Sequence, residues 1–373
     1  MNKINLKGLT LPELEAFALS INEKKFRGKQ LFEWIYSKRA ESFAEMSTIS
    51  KSLRLKLNDL AFVPSIETIT KKISGDGTVK FLFGLSDRQQ IESVLIPPST
   101  AFRDPGAGSE EEQKRLTLCV STQVGCPLKC AFCATGSMGF YRNLNTGEII
   151  DQVIQTEKET GKHITNLVFM GMGEPLLNYE SVVNSIDIFT AGMGIAARHI
   201  TVSTVGLVPQ IRRIADERRK FKLAVSLHSL DDEIRSSLIP IGKRYSLAEL
   251  IDAIEYYYQK VKRRPTFEYI LFKGLNDRDS DIKSLVRLSK RIPCKVNVIP
   301  YHNIKFINPA GFAASLQPTP TAEMDEFIRK LRDSHVTVFV RSSAGESIEA
   351  ACGQLAVQSN KIRSANLRGV KIS

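Results

Sequence analysis

The sequence predicts an α/β protein: six β/α units around a parallel sheet, preceded by a small N-terminal helical domain and a three-stranded antiparallel extension. Three observations carry this. From Arg115 onward, short β-branched or apolar runs alternate with longer runs of helical period. Between residues 64 and 97 the period drops to two, with turn residues between the runs. Before that, apolar residues recur at helical spacing.

Residues 1–62 form an accessory module. Leu11, Leu14, Phe17 and Leu19 mark a helix over Leu11–Ser20. Phe26, Leu31, Trp34 and Ile35 share one face of a second helix, and a third runs from Ser50 to Leu60. Core packing explains these aromatics better than base stacking. Residues 63–114 follow as a unit of strands and loop. Ser65–Ile73, Val79–Leu85 and Gln89–Ile96 read as a meander broken at Gly75-Asp76-Gly77 and Ser86-Asp87. After Pro97-Pro98, the Gly/Ser/Glu-rich stretch Ser99–Gln113 reads as a flexible surface loop.

Residues 115–356 form the core. Strands are expected at Leu116–Ser121, Asn166–Met172, His199–Thr204, Lys222–His228, Thr266–Phe272 and Lys295–Pro300. Helices are expected at Thr146–Thr160, with Thr146 as N-cap, and at Tyr179–Thr190, Leu207–Ala215, Leu247–Lys262 and Asp279–Ser289. A last helix, Thr321–Ser334, and strand, Val336–Arg341, lead into a loop carrying Cys352. Residues 357–373 are a basic tail.

The 373 residues are 42% hydrophobic, enough for a large core. The N-terminus lacks a basic segment followed by an apolar stretch, and no apolar run approaches the ~18 residues of a membrane span. A cytoplasmic protein with no membrane contact is expected. Thiols stay reduced there, so the six cysteines argue for metal or redox chemistry rather than a disulfide scaffold. The net charge is +12 and the pI about 9.4. Such a balance is either a basic solvated surface or the footprint of a polyanion, most simply nucleic acid. Basic clusters at Lys24–Lys29, Arg212-Arg213, Arg218–Lys220, Lys260–Arg264 and Lys361–Lys371 are spread along the chain, which suits a large folded RNA.

The chemistry centres on Cys126, Cys130 and Cys133, spaced C-x3-C-x2-C just after the first core strand. A structural zinc site wants a fourth ligand nearby and an electron-transfer [4Fe–4S] cluster four cysteines, but no fourth Cys or His follows in the loop. Three ligands on a four-iron cluster leave one iron open for substrate. The stretch resembles the signature of the radical S-adenosylmethionine (SAM) enzymes, as do Gly125 and Phe132 beside it. That resemblance implies a [4Fe–4S] cluster on three cysteines, an open iron that chelates SAM, and cleavage of SAM to methionine and a 5′-deoxyadenosyl radical. It also implies a partial (β/α)6 barrel, six units being too few for a closed eightfold one, with the site at the C-terminal ends of the strands.

Four further stretches narrow it: Thr117–Cys126, Met170–Pro175, Ser226-Leu227-His228 and Ala350–Leu355. With the N-terminal segment Phe26–Leu31, they resemble the RlmN/Cfr family of radical SAM RNA adenine methyltransferases over nearly the whole chain. The resemblance implies two SAM molecules per turnover. Cys352 takes a methyl from the first, and the radical made from the second removes a hydrogen from that S-methyl group. The methylene radical adds to an adenine carbon, and Cys119 then attacks the Cys352 sulfur, releasing methylated RNA with a transient disulfide. Glu92 matches the family's proton acceptor. Gly173, Glu174, Ser203, Ser226, Leu227 and His228 match SAM contacts. Where the family often has Asn after Ile-Pro-x, strict alignment places His302, with Asn303 one position later, so both are candidates. Read without the family, Cys119, Cys352 and His228 are ordinary buried side chains, Glu92 a solvated strand carboxylate, and Cys294 structural.

Two departures stand out. Pro98–Lys114 is a long insertion, and Ala344–Ile348 replaces an Arg-Gly-x-Asp-Ile run. The expected activity, by resemblance to the RlmN branch, is methylation of carbon 2 of adenosine in 23S rRNA, in the peptidyl transferase region, and in tRNA 3′ of the anticodon. A monomer served by an electron donor such as flavodoxin is expected. The alternatives are a Cfr-like carbon-8 methyltransferase conferring antibiotic resistance and a non-enzymatic iron–sulfur RNA-binding protein.

Overall fold

The architecture is that of a computed structural model, which describes residues 3–98, 115–341 and 343–357. The loop expected over Ser99–Gln113 lies outside the described residues, as does the basic tail beyond Val357 with its cluster Lys361–Lys371.

The N-terminal helices form where expected, at Leu11–Ser20, Phe26–Phe32 (continuing as a π turn, Glu33–Ser37) and Lys51–Leu60. Gly28 lets the first two touch: a Cβ there would lie 2.5 Å from the Glu15 backbone. The second helix buries Leu31, Phe32, Ile35 and Tyr36, whereas Phe26, expected on that face, is half exposed beneath the Arg27 guanidinium. The module is not purely helical. β1 (Ile4–Asn5) and β2 (Ala61–Phe62) pair in parallel and close it. It docks on the core through Lys7, whose ammonium meets the Asp151 carboxylate at 2.7 Å with both side chains buried.

One ten-stranded sheet runs through the rest. Its order is β14 (Val338–Val340), β13 (Lys295–Pro300), β12 (Thr266–Leu271), β11 (Lys222–Ser226), β10 (Ile200–Thr204), β9 (Asn166–Phe169), β6 (Thr117–Cys119), β5 (Gln90–Ile96), β4 (Val79–Gly84) and β3 (Glu67–Ile73). The seven strands from β6 to β14 are parallel and wound in chain order, so they form an open partial barrel. Their interiors are almost wholly buried, as helix-covered parallel strands must be. The meander β3–β5 is antiparallel and continues the same sheet, because β5 pairs with β6, Val94 opposite Cys119.

The expected helices between the strands form within two residues of their expected ends, and a further one, Asp232–Leu238, was not expected. One cap differs. Asn145, not Thr146, caps the helix Thr146–Thr160: its side chain accepts from the Glu148 N–H, and the Glu148 carboxylate accepts from the Asn145 N–H.

Candidate active site

A cavity of about 790 Å³, open to solvent, lies at the C-terminal ends of the parallel strands. Two loops from distant parts of the chain wall it.

The first wall is the cysteine loop. It leaves a short hairpin of β7 (Gln123–Gly125) and β8 (Phe140–Asn143). The Cys126 N–H donates to the Gly139 carbonyl at 2.8 Å. Gly125 has φ +76°, and a Cβ there would lie 1.9 Å from that same carbonyl oxygen, so only glycine fits. The Ala131 N–H donates to Leu238 O and the Cys133 N–H to Cys130 O. Cys126, Cys130 and Cys133 all face the cavity. Burial pushes all three thiols up, Cys126 to about 12. Among the described residues no three His, Cys, Asp or Glu side chains gather on a single-ion point.

The second wall begins at Arg341, just past β14, and reaches Cys352. Here the replaced run earns its anchoring from the β3–β4 hairpin: the Gly345 N–H donates to Asp76 Oδ2, and the Ser74 and Ser347 hydroxyls are hydrogen-bonded at 2.9 Å. The walls meet where the Ala134 N–H donates to Gly353 O (2.7 Å) and the Thr135 hydroxyl to Leu355 O (2.6 Å).

The strand ends make the floor. Gly173 has φ +98°, and a Cβ there would meet Gln123 at 2.5 Å. Glu174 is buried, and its carboxylate accepts from the Leu176 and Val205 N–H groups. Burial raises its pKa to about 7. Ser203 and Ser226 line the floor. His228 has φ +54° and its ring lies edge-on to Phe132. Its Nδ1 accepts from the Ile270 N–H (3.1 Å), so the neutral ring carries its proton on Nε2. Burial, with Arg235 adding to it, drives its pKa down to about 3 and keeps it neutral.

The remaining expected residues stand outside the cavity lining. Leu227 is buried in the core, because successive side chains alternate and its neighbours Ser226 and His228 take the cavity side. His302 Nδ1 faces Glu346 Oε1 at 3.2 Å. Asn303 is exposed, and its carbonyl accepts from the Gln354 side chain. Cys119 is buried behind the cavity, where burial, then the charge of Cys352, pushes its thiol up to about 12. Glu92 is buried two residues from the Val94–Cys119 pair. It lies 3.3 Å from the Lys80 ammonium and accepts from the Ala356 N–H at 3.0 Å. Burial raises its pKa against the pull of Lys80. Cys294 is buried in the core.

Three charged residues of the site escaped the sequence reading. Arg341 and Glu268 line the cavity, with Arg341 Nη1 3.3 Å from Cys352 Sγ and 3.9 Å from Glu268 Oε2. A lone carboxylate within the apolar run Thr266–Leu271 was the available signal. Arg235 is 1% exposed and donates to Val205 O, and among the described residues its Nε has no hydrogen-bond partner. Among the described residues no carboxylate forms an ion pair with it, and Cys130, then Asp232, lie within its field.

Comparison with known proteins bears on the whole arrangement. Residues 4–63 match the ribosomal RNA large subunit methyltransferase N-terminal domain, and residues 120–287 match the radical SAM superfamily. The probable dual-specificity RNA methyltransferase RlmN of Alkaliphilus oremlandii is 42% identical over 95% of this chain and 98% of its own. The dual-specificity RNA methyltransferase RlmN of Pelobacter propionicus is 42% identical over 95% and 96%. The crystal structure of a radical SAM methyltransferase from Sphaerobacter thermophilus superimposes with a TM-score of 0.82 at 40% identity, covering 94% of this chain and 99% of that one. The chain is therefore a radical SAM enzyme and belongs to the RlmN family of dual-specificity RNA methyltransferases.

Proposed function

We propose that this enzyme methylates carbon 2 of adenosine in 23S rRNA and in tRNA, passing the methyl group through Cys352. The observation that carries the reading is the placement of Cys352 in the same cavity as Cys126, Cys130 and Cys133, with Cys119 in its field.

The radical SAM family implies a [4Fe–4S] cluster and SAM, and the residues present fit them. Cys126, Cys130 and Cys133, three soft thiols lining one cavity, would hold such a cluster. A cluster with three thiolates is anionic, and Arg235 is a buried cation whose strongest charge partner is Cys130. When bound, the cluster supplies the electron that cleaves SAM to methionine and a 5′-deoxyadenosyl radical. Metal ligation replaces the protons that burial holds on the three thiols. Glu174 receives the SAM ammonium once ionised, and the Cβ-free backbone of Gly173 lets the ligand approach. Ser203, Ser226 and the His228 Nε2–H present hydrogen-bonding groups to it. His302 and Asn303 are committed to the loop that carries Cys352 and stay out of this shell.

Cys352 carries the methyl group from one SAM while a second serves the radical step. Cys119 then attacks the Cys352 sulfur and breaks its bond to the RNA-attached methylene carbon, which keeps the electron pair and takes up a proton as the new methyl group, leaving a disulfide between the two cysteines. Glu92 accepts the proton lost from the adenine carbon, with Lys80 favouring its ionised form. The target adenosine enters unstacked, since its ring carbon must reach Cys352 within the cavity. An external one-electron donor of the flavodoxin kind and a monomeric, cytoplasmic enzyme complete the reading.

The test is mass spectrometry of nucleosides from 23S rRNA and tRNA incubated with anaerobically reconstituted enzyme, SAM and reductant. The expected product is 2-methyladenosine in both RNAs. Finding 8-methyladenosine, or deoxyadenosine release with no methylated adenosine, overturns the substrate assignment.

A further inference from the structure

We propose that Arg341 is a further catalytic residue: its guanidinium binds the Cys352 sulfur and favours the anion that takes the methyl group. The proposal rests on the reading of Cys352 given above.

The geometry is direct. Arg341 Nη1 donates to Cys352 Sγ at 3.3 Å, with Met170 Sδ as its other close neighbour at 2.9 Å. The arginine backbone is fixed by an N–H bond to Val298 O (3.0 Å), so the side chain starts from a rigid strand end. Its charge is balanced from across the cavity by Glu268, at 3.9 Å, and Glu268 is oriented by the Asn297 amide at 2.7 Å. Glu268 and Asn297 are both buried.

Packing alone gives no reason for such a set. Taking an arginine and a glutamate out of water costs several kcal/mol per ion, and a pair at 3.9 Å with one shared nitrogen recovers little of it. Apolar side chains would fill the same space more stably. A largely buried cation at a sulfur does have a chemical use. In the methyl-transfer step the Cys352 anion supplies an electron pair to the SAM methyl carbon. The bond from that carbon to the SAM sulfur breaks, its pair stays on that sulfur, and the Cys352 thiol proton has already left through the open mouth to solvent. A charge-assisted hydrogen bond from Arg341 lowers the cost of holding that anion at the cavity wall. Glu268 keeps the arginine from adding net positive charge beside the incoming sulfonium. Cys119 lies in the same guanidinium field, so one cation serves both sulfurs that later join.

The reconstituted holoenzyme tests this without RNA. Arg341→Gln and Arg341→Lys are incubated with SAM, and the mass of the peptide carrying Cys352 is followed with time and SAM concentration. For Arg341→Gln the rate of Cys352 methylation at saturating SAM is expected to fall by about ten- to a hundredfold, the loss of one charge-assisted bond. The SAM concentration for half-maximal rate and the iron content should stay the same. Arg341→Lys should retain most of the rate, and guanidinium salts should partly restore Arg341→Ala. Wild-type rates in Arg341→Gln overturn the proposal and leave the reading of Cys352 intact. Loss of iron in parallel with loss of rate in all three variants assigns the arginine a structural role and also overturns it. A wild-type enzyme that acquires no methyl on Cys352 overturns both.

Discussion

The two walls of the cavity are built in opposite ways. The cysteine loop is local: Cys126, Cys130 and Cys133 fall within eight residues. A two-strand hairpin holds its base, and one glycine admits the closest contact. The Cys352 wall is assembled from far away. Asp76 and Ser74 hold it from the β3–β4 hairpin, Lys80 and Glu92 from the neighbouring strands, and Asn303 from beyond β13. Among the described residues its regular structure is a single 3-10 turn, Glu346–Ile348. Radical generation needs a rigid cradle. A methyl carrier must meet SAM, then a base, then Cys119, and a loop held by a few separable hydrogen bonds suits three such encounters.

The largest test breaks each wall separately. Cys352→Ala should abolish RNA methylation, on the order of a thousandfold or more, as removal of a covalent carrier does. It should keep its iron, and its protein should carry no methyl by mass spectrometry. Cys126→Ala should lose iron and deoxyadenosine formation together. Cys119→Ala should accumulate a covalent protein–RNA adduct, visible as a shifted band that nuclease trims. Absence of the adduct would remove Cys119 from the resolving step.

A smaller effect sharpens the floor between the walls. Burial raises the Glu174 carboxyl from its ordinary 4.5 to about 7. An ammonium is attracted only by the ionised form, so SAM binding to the holoenzyme should weaken about tenfold from pH 8 to pH 6. Glu174→Gln should bind weakly at both values, which calorimetry would read. For stability without SAM the sign is opposite. The folded protein holds this proton more tightly than the unfolded chain, so through Glu174 alone stability declines as pH rises from about 4.5 to 7 and stays lower above it.

The second wall should loosen first when its long-range contacts go. Glu92→Ala removes the carboxylate beside Lys80 and the acceptor of the Ala356 N–H and should cost about 1–3 kcal/mol. Hydrogen exchange should speed up in 345–356 and leave 126–139 unchanged. The smallest effect is at the seam: Thr135→Val removes one buried hydrogen bond to Leu355 O and should cost about 1 kcal/mol. Equal loosening of both walls in either variant would contradict the difference drawn between them.

That difference also explains what the sequence made legible. The alternation from Arg115 and the meander are local patterns, and each folded into the element it predicted; the cysteine spacing, equally local, put three thiols in one cavity. The family motifs brought Cys352 to the cavity, though about 220 residues separate it from the cysteine loop. What escaped was long-range and electrostatic. Arg341 reads as a cation at a strand end, which is normally solvated, and only the packed barrel turns it onto Cys352. Glu268 looked like one polar residue in a strand until Arg341 and Asn297 closed on it. Phe26 fits a helical stripe by spacing, yet the docking of that helix leaves it outside. His302 fits an alignment, yet it lies outside the cavity lining with its Nδ1 facing Glu346.

The central claim is that the methyl group travels through Cys352, joining the two walls in one reaction. The most direct measurement is a single-turnover chase. Holoenzyme is methylated with SAM carrying a ¹³C-methyl group, freed of that SAM, and given unlabelled SAM, reductant and RNA. The account predicts that the methyl carbon of the first 2-methyladenosine formed is ¹³C. An unlabelled methyl carbon in that first product, with the label still on the protein, would contradict it.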